Sequence, residues 1–292
     1  MLAGRKVTGF IAPTATNGCP YCTCTKHQYN DISVINGSFI RRTWLQWKLQ
    51  ATEWRKATTI PLQTLLKKAN GVAWSELLRL PYWDPTKFFV VDGMHNIFLG
   101  LVQHHAAPAP PPPTQPAFNP HRMSASDLEY VREIIAAISS PSWLGRVSKD
   151  FGSSGHGTPK ADEWRTAATV QLPMALTLIW YSTARQADLD WFLDLATAVQ
   201  VGTSRSTSQS RASEYRTSIQ KYLRGMVQRG FSLLPNHHAA LHFADFLVSF
   251  GPVRGWWCFP VERQIGILQQ IKTNNRFGMS SAPLIAFETD YP

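Results

Sequence analysis

Cysteine is scarce in this chain and badly distributed. Only four of 292 residues are cysteine; Cys19, Cys22 and Cys24 fall within six positions, and Cys258 stands alone far downstream. Such a set does not build the disulfide framework of a small secreted domain. No run of about twenty apolar residues occurs, which excludes a membrane-spanning helix. The opening MLAGRKVTGF lacks the apolar stretch of a signal peptide, so an intracellular, reducing compartment is the expectation. Acids are also few, 19 Asp/Glu against 29 Lys/Arg, for a net charge of +10. Neither a basic tail nor an internal repeat accounts for the excess.

What is present suffices for burial: 44% hydrophobic and 12% aromatic residues exclude global disorder and allow one or two domains. The positive excess is local. RRTWLQWKLQATEWRKATTIPLQTLLKK, Arg41 to Lys68, holds seven Lys/Arg against one acid. Basic residues interleaved with Trp44, Trp47 and Trp54 suit a polyanion such as nucleic acid, through Arg41, Arg42, Lys48, Arg55 and Lys56. The same pattern also describes a solvated amphipathic helix with its tryptophans in the core.

Hydrophobic periodicity predicts a short strand in RKVTGFIA and helices from about Trp44 to Ala69 with a break near Ile60-Pro61. A helix in WSELLRL and a turn at LPYWDP follow. KFFVVDGMHNIFLGLVQHH reads as a β-type run that turns at Asp92-Gly93 into a helix. Seven prolines in the fourteen residues Ala107 to Pro120 make a polyproline-type spacer. Beyond it helices are expected at about 124–138, 160–200 and 211–229, with the Ser-rich loop VGTSRSTSQSRAS between the last two. One helix should run through LPNHHAALHFADFLVSF to Gly251-Pro252, and a last one should open at PVERQIGILQQIK.

A C-x2-C knuckle supplies half of a tetrahedral zinc site. Cys19 and Cys22 have no second knuckle, but His238 and His242, four apart, share one face of a helix, and His237 is five from His242. A Cys2His2 site built from these would be closed and structural, and would tie together segments more than two hundred residues apart. Cys24 and His27 are rival ligands that would make the site local. Asp92 and His95 in DGMHN can bind a metal, or Asp92 can cap the helix that follows. Glu262 in the first turn of a helix is favoured there by the helix dipole with no further role. SSGHGTPKADEWR, with His156, Lys160 and Arg165, reads as a phosphate-contacting loop of low specificity.

Taken in order, CPYCTCTKHQYNDI, GVAWSELLRLPYWDPTKFFVVDGMHNIFLGLVQHH, HGTPKADEWR and PNHHAALHFADFLVSFGPVRGWWCFPVERQIGILQQI resemble the transposases of CACTA-like DNA transposons. In particular they resemble the Plavaka-type elements of basidiomycete fungi. The resemblance covers the chain apart from its proline-rich spacer. One departure is Thr158-Pro159, where relatives tend to carry Lys-Leu.

The family implies an RNase H-like core interrupted by a large helical insertion. Its chemistry would be Mg2+-dependent DNA strand cleavage and transfer by three acids holding two ions. It also pairs a C-x2-C with a downstream histidine pair on zinc, so the implied ligands are Cys19, Cys22, His242 and either His238 or His237. Glu262, twenty residues after His242, matches the third acid, and Asp92 is the remaining candidate for a second. The family's Asp-x-Pro-Ala motif would fall just ahead of Met1, which leaves the triad incomplete.

The resulting expectation is a mainly α chain: the zinc-stapled helical insertion with a remnant of the α/β core, truncated and inactive alone. Its segments would be 1–40, 41–106, 107–120, 121–230 and 231–292. A domesticated DNA-binding protein, or an active transposase whose N-terminal part lies outside this chain, are the alternatives. DNA is the expected partner, the nucleus the expected location, and no oligomeric state can be read from the sequence.

Overall fold

The computed structural model describes residues 2–106, 123–139, 141, 144, 145, 147, 151 and 159–270. The proline-rich spacer, His156 and the last twenty-two residues lie outside the described residues. The chain divides into two compact units, Met1–Trp257 and Cys258–Pro292. The architecture is mainly helical, with no strand among the described residues and two isolated antiparallel bridges, Phe10 with Val72 and Cys22 with Arg41. No described helix is long and apolar enough to cross a membrane.

The first expected strand is a helix instead. α1 spans Leu2–Thr8, and Thr8 Oγ1 turns back to the Gly4 carbonyl at 2.7 Å. Gly9, with φ of 81°, ends the helix, and Phe10 enters an aromatic cluster with Trp47. A lone bridge to Val72 is all the β pairing the segment has, because no neighbouring strand is there to extend it.

α2 (Trp44–Lys56) and α3 (Ile60–Asn70) reproduce the expected break. Thr43 and Thr59 cap the two helices, each hydroxyl accepting a backbone N–H, and Pro61 sits in the first turn of α3. α3 stops at Gly71, φ 73°, where a Cβ would lie 2.3 Å from the Asn17 carbonyl oxygen. WSELLRL forms only a short 3-10 turn, Glu76–Arg79.

The second expected strand is likewise replaced. Asp84 caps a single helical turn at Pro85–Phe88, and the chain then runs unpaired to Asp92. α4 follows as a π-helical Met94–Val102 continued by Gln103–Ala106. Gly100 lets Asn236 lie against α4: a Cβ there would meet Asn236 Nδ2 at 2.8 Å.

α5 (Ala125–Ala137) precedes α6, which runs through Ala161–Thr166, a π-helical Ala167–Gln171 and Leu172–Trp180. The long helix expected at 160–200 breaks at residues 181–185, where Ser182 adopts φ 55°. α7 (Gln186–Gly202) and α8 (Gln209–Gln228) then pack as a pair. Leu189, Phe192, Leu195 and Val199 meet Tyr215, Ile219, Tyr222 and Met226 at helical spacing, all buried. Trp191 stacks on Tyr222 at 5.7 Å and donates its indole N–H to the Tyr222 carbonyl. Each such side chain contributes roughly 1.5–3 kcal/mol by leaving water.

Asp127 joins three of these segments. Its carboxylate accepts the Ser124 backbone N–H at 2.8 Å and the Trp180 indole N–H at 3.1 Å, and it pairs with Arg185 at 3.3 Å. Burial works to raise its pKa, but these donors win and hold it below the usual carboxylate value. Its contribution is therefore present at neutral pH and lost only as pH falls through that depressed pKa. Asp127→Ala is expected to lower stability by about 1–2 kcal/mol at neutral pH in urea unfolding, with the loss vanishing in strong acid.

α9 (Pro235–Ala240) and α10 (Phe243–Phe250) replace the single helix expected there. The junction is tightened by i→i+3 bonds, Leu241 N–H to the His238 carbonyl and His242 N–H to that of Ala239. Both junction residues stay in the right-handed helical region, so the chain turns without changing hand. Gly251, φ 78°, ends α10. In the second unit, α11 (Phe259–Gln269) carries Glu262 in its first turn.

Candidate metal centre

Cys19, Cys22, His238 and His242 are all buried, and their Sγ and Nε2 atoms lie within 4.8 Å of one another. Cys19 Sγ is 3.5 Å from Cys22 Sγ and 3.6 Å from His242 Nε2; Cys22 Sγ is 3.1 Å from His238 Nε2, and the two Nε2 atoms are 3.4 Å apart. Zinc bonds of about 2.3 Å to sulfur and 2.0–2.1 Å to nitrogen, in tetrahedral array, separate ligand atoms by about 3.3–3.8 Å. The four side chains thus match a closed Cys2His2 shell with little movement.

The surroundings explain why the knuckle holds this shape. Arg42 is buried and donates Nε to the carbonyls of Cys19 and Cys22, at 3.0 and 3.1 Å, and Nη1 to that of Asn70 at 2.9 Å. Arg5 Nη1 donates to the Gly18 carbonyl at 2.7 Å. Tyr29 stacks on His238, 4.2 Å between ring centres and 8° between planes, while Tyr21 and Phe39 flank His242. Arg41 Nη1 lies 2.9 Å from His242 Nδ1 and also pairs with Asp245. With a metal on Nε2 the ring proton sits on Nδ1, and Arg41 then has Asp245 as its acceptor.

Electrostatics favour a thiolate here. Burial alone would raise the Cys19 pKa, but the hydrogen bond from Cys22 and the imidazoles of His238 and His242 bring it well below the ordinary thiol value. Cys22 moves the other way, because its proton is held toward Cys19 and burial adds to the effect. Burial lowers the pKa of His242 despite the Cys19 charge, and neutral imidazole is the form a metal takes.

The other candidates lie elsewhere. His237 is buried beside His104, and its Nδ1 accepts the Leu234 N–H at 2.9 Å, outside the cluster. Burial, with His104 and His105 nearby, lowers its pKa to about 3. Cys24 is buried without joining the four, and His27 is exposed. Asp92 Oδ2 accepts the His95 backbone N–H at 2.9 Å, as a cap of α4 does, and meets His95 Nδ1 at 2.6 Å; Asp92 and His95 also belong to a second group of side chains able to hold a metal. Glu262 belongs to the second unit.

Of the basic residues, Lys48, Arg55, Lys56 and Lys160 are exposed. Lys48 lies over Trp44 and Arg55 over Trp74, and half-buried Arg165 pairs with Asp162. Arg42 is turned inward, which corrects its expected place on a nucleic-acid surface: its guanidinium is spent on carbonyls. Asp245 and Tyr29 are the site residues that sequence reasoning missed. Asp245 carries a faint signal, three residues after His242 and hence on the same side of a helix.

Compared with protein-family models, curated proteins and solved structures, the chain matches none. Fold and site therefore define its class on their own terms: a mainly helical protein with a buried Cys/His cluster able to hold a metal such as zinc.

Proposed function

We propose that this chain is a transposase-derived, zinc-stapled helical domain that binds DNA and does not cut it alone. The observation that carries the reading is the Cys19–Cys22–His238–His242 cluster, whose two halves come from opposite ends of the first unit. It is the ligand set that the resemblance to CACTA-like transposases implies, in a geometry that suits zinc. By the same resemblance the helices between the two halves are the insertion of an RNase H-like core. A DNA-bound role would place the protein in the nucleus.

Mg2+, which the resemblance also implies, does not fit the residues present. Two-ion phosphodiester chemistry needs acids converging on the metals. Asp92 has its Oδ2 committed to His95, and among the described residues the metal-capable group that contains them holds no second carboxylate.

DNA affinity rests on the exposed positive face of α2 and α3, where Lys48, Arg55, Lys56 and Lys68 reach solvent. If these four contact phosphates, the logarithm of affinity should fall with the logarithm of salt at a slope near about −3.6. Fluorescence anisotropy with a labelled duplex between 50 and 200 mM salt (about those limits) reads this slope. Lys48→Glu, Arg55→Glu, Lys56→Glu and Lys68→Glu together should remove most of it. No binding by the wild type, or an unchanged slope in the variant, would contradict the reading.

A further inference from the structure

We propose that a cavity beside the metal centre is a binding site for a small organic oxyanion, a carboxylate or a phosphate monoester. The cavity has a volume of about 230 Å3, and Arg5, Tyr21, Phe89, His95, Asn96 and Asn236 are among its lining residues. That is below the roughly 300–1,000 Å3 of clefts that enclose drug-sized ligands, so the occupant is compact.

The demand for an anion comes from Arg5, only 8% exposed. Its Nη1 donates to the carbonyls of Ile11 and Gly18, at 3.0 and 2.7 Å, but it forms no ion pair with any described carboxylate. Nε and Nη2 make no hydrogen bond among the described residues. A guanidinium so nearly buried, with neutral acceptors on one nitrogen alone, has two nitrogens left to meet an anion in the cavity.

Other groups give the site direction. Tyr21, whose ring forms part of the wall, makes no hydrogen bond through its hydroxyl among the described residues. Asn96, wholly buried, gives its Nδ2 to the Asn236 carbonyl at 2.9 Å and leaves Oδ1 without a partner. Phe89, Pro13, Val91, Pro235 and Ala239 supply an apolar lining. A ligand with a charged oxygen toward Arg5 and a compact apolar body against this lining satisfies the site.

Benzoate and phenyl phosphate separate the two oxyanion sources, and benzamide is the neutral control. Titration followed by ligand-observed NMR on the full chain should show one or both anions binding about tenfold or more tightly than benzamide. Benzoate alone would mark a carboxylate site, and phenyl phosphate alone a phosphate site. Ala239→Leu, which fills the cavity and leaves Arg5 in place, should abolish binding with unchanged metal content. Arg5→Gln should weaken the anions and leave benzamide unaltered. Failure of both anions to bind the wild type, equal binding of benzamide, or full binding by Ala239→Leu would each overturn the site. None of these readouts involves DNA, so the DNA-binding reading stands or falls separately.

Discussion

His242→Ala is expected to release zinc and collapse the first unit. A structural zinc contributes an apparent binding energy of about 10–16 kcal/mol in small zinc-dependent folds at neutral pH. A whole domain has only about 5–15 kcal/mol of net stability. With a metal bound, the cluster would be one of the long-range ties of the fold, joining Cys19 and Cys22 to His238 and His242 across more than two hundred residues of chain. Removing one imidazole leaves two buried thiols and a cavity beside Tyr21 and Phe39. Elemental analysis should find far less zinc in His242→Ala and in Cys19→Ser, and far-UV circular dichroism should show lost helix. Chelation of the wild type should do the same. Cys24→Ser, His27→Ala and Cys258→Ala should keep the metal. Equal zinc in wild type and His242→Ala would remove the long-range staple.

Arg42→Ala should be the next most damaging change. The guanidinium satisfies the carbonyls of Cys19, Cys22 and Asn70 at once, and so fixes the knuckle against the end of α3. Its loss strands three acceptors in a buried place, and the expected cost is about 3–5 kcal/mol in urea unfolding at constant zinc. Arg42→Lys should recover little, because a single ammonium cannot reproduce the fork. Lys48→Ala, on the exposed face of α2, should change stability by less than about 0.5 kcal/mol. An Arg42→Ala protein as stable as the wild type, with weakened DNA binding, would return Arg42 to the nucleic-acid surface.

The contrast between Arg41 and Arg42 shows where sequence reading stops. Both sit in one basic run, but around the bridge between Cys22 and Arg41 the chain is extended, and successive side chains point to opposite sides. Arg41 keeps 46% of its side chain exposed while Arg42 is buried. Charge alone does not reveal that parity. The same limit separates His237 from His238: both are buried histidines of α9, but His238 faces the knuckle while His237 Nδ1 takes the Leu234 N–H.

Helices with chemical punctuation were legible. Periodicity and Pro61 mark α2, α3 and α5, and the structure adds the caps, Thr43, Thr59 and Ser124 with Asp127. The short apolar runs RKVTGFIA and KFFVVD form no strands, because a strand depends on neighbours that a local pattern does not show. The break after Trp180 rests on Ser182 at φ 55°, a conformation its residue type does not announce. Asp92 keeps both roles open to it in the sequence, since its carboxylate takes the N–H that a cap takes and it also belongs to a group of side chains able to hold a metal.

The most direct test of the account is zinc K-edge X-ray absorption on the full chain as purified, with elemental analysis of the same sample. The account predicts one zinc per chain, with two sulfurs at about 2.3 Å and two nitrogens at about 2.0–2.1 Å. A chain without zinc, a shell of oxygen and nitrogen only, or a third sulfur from Cys24 would contradict it.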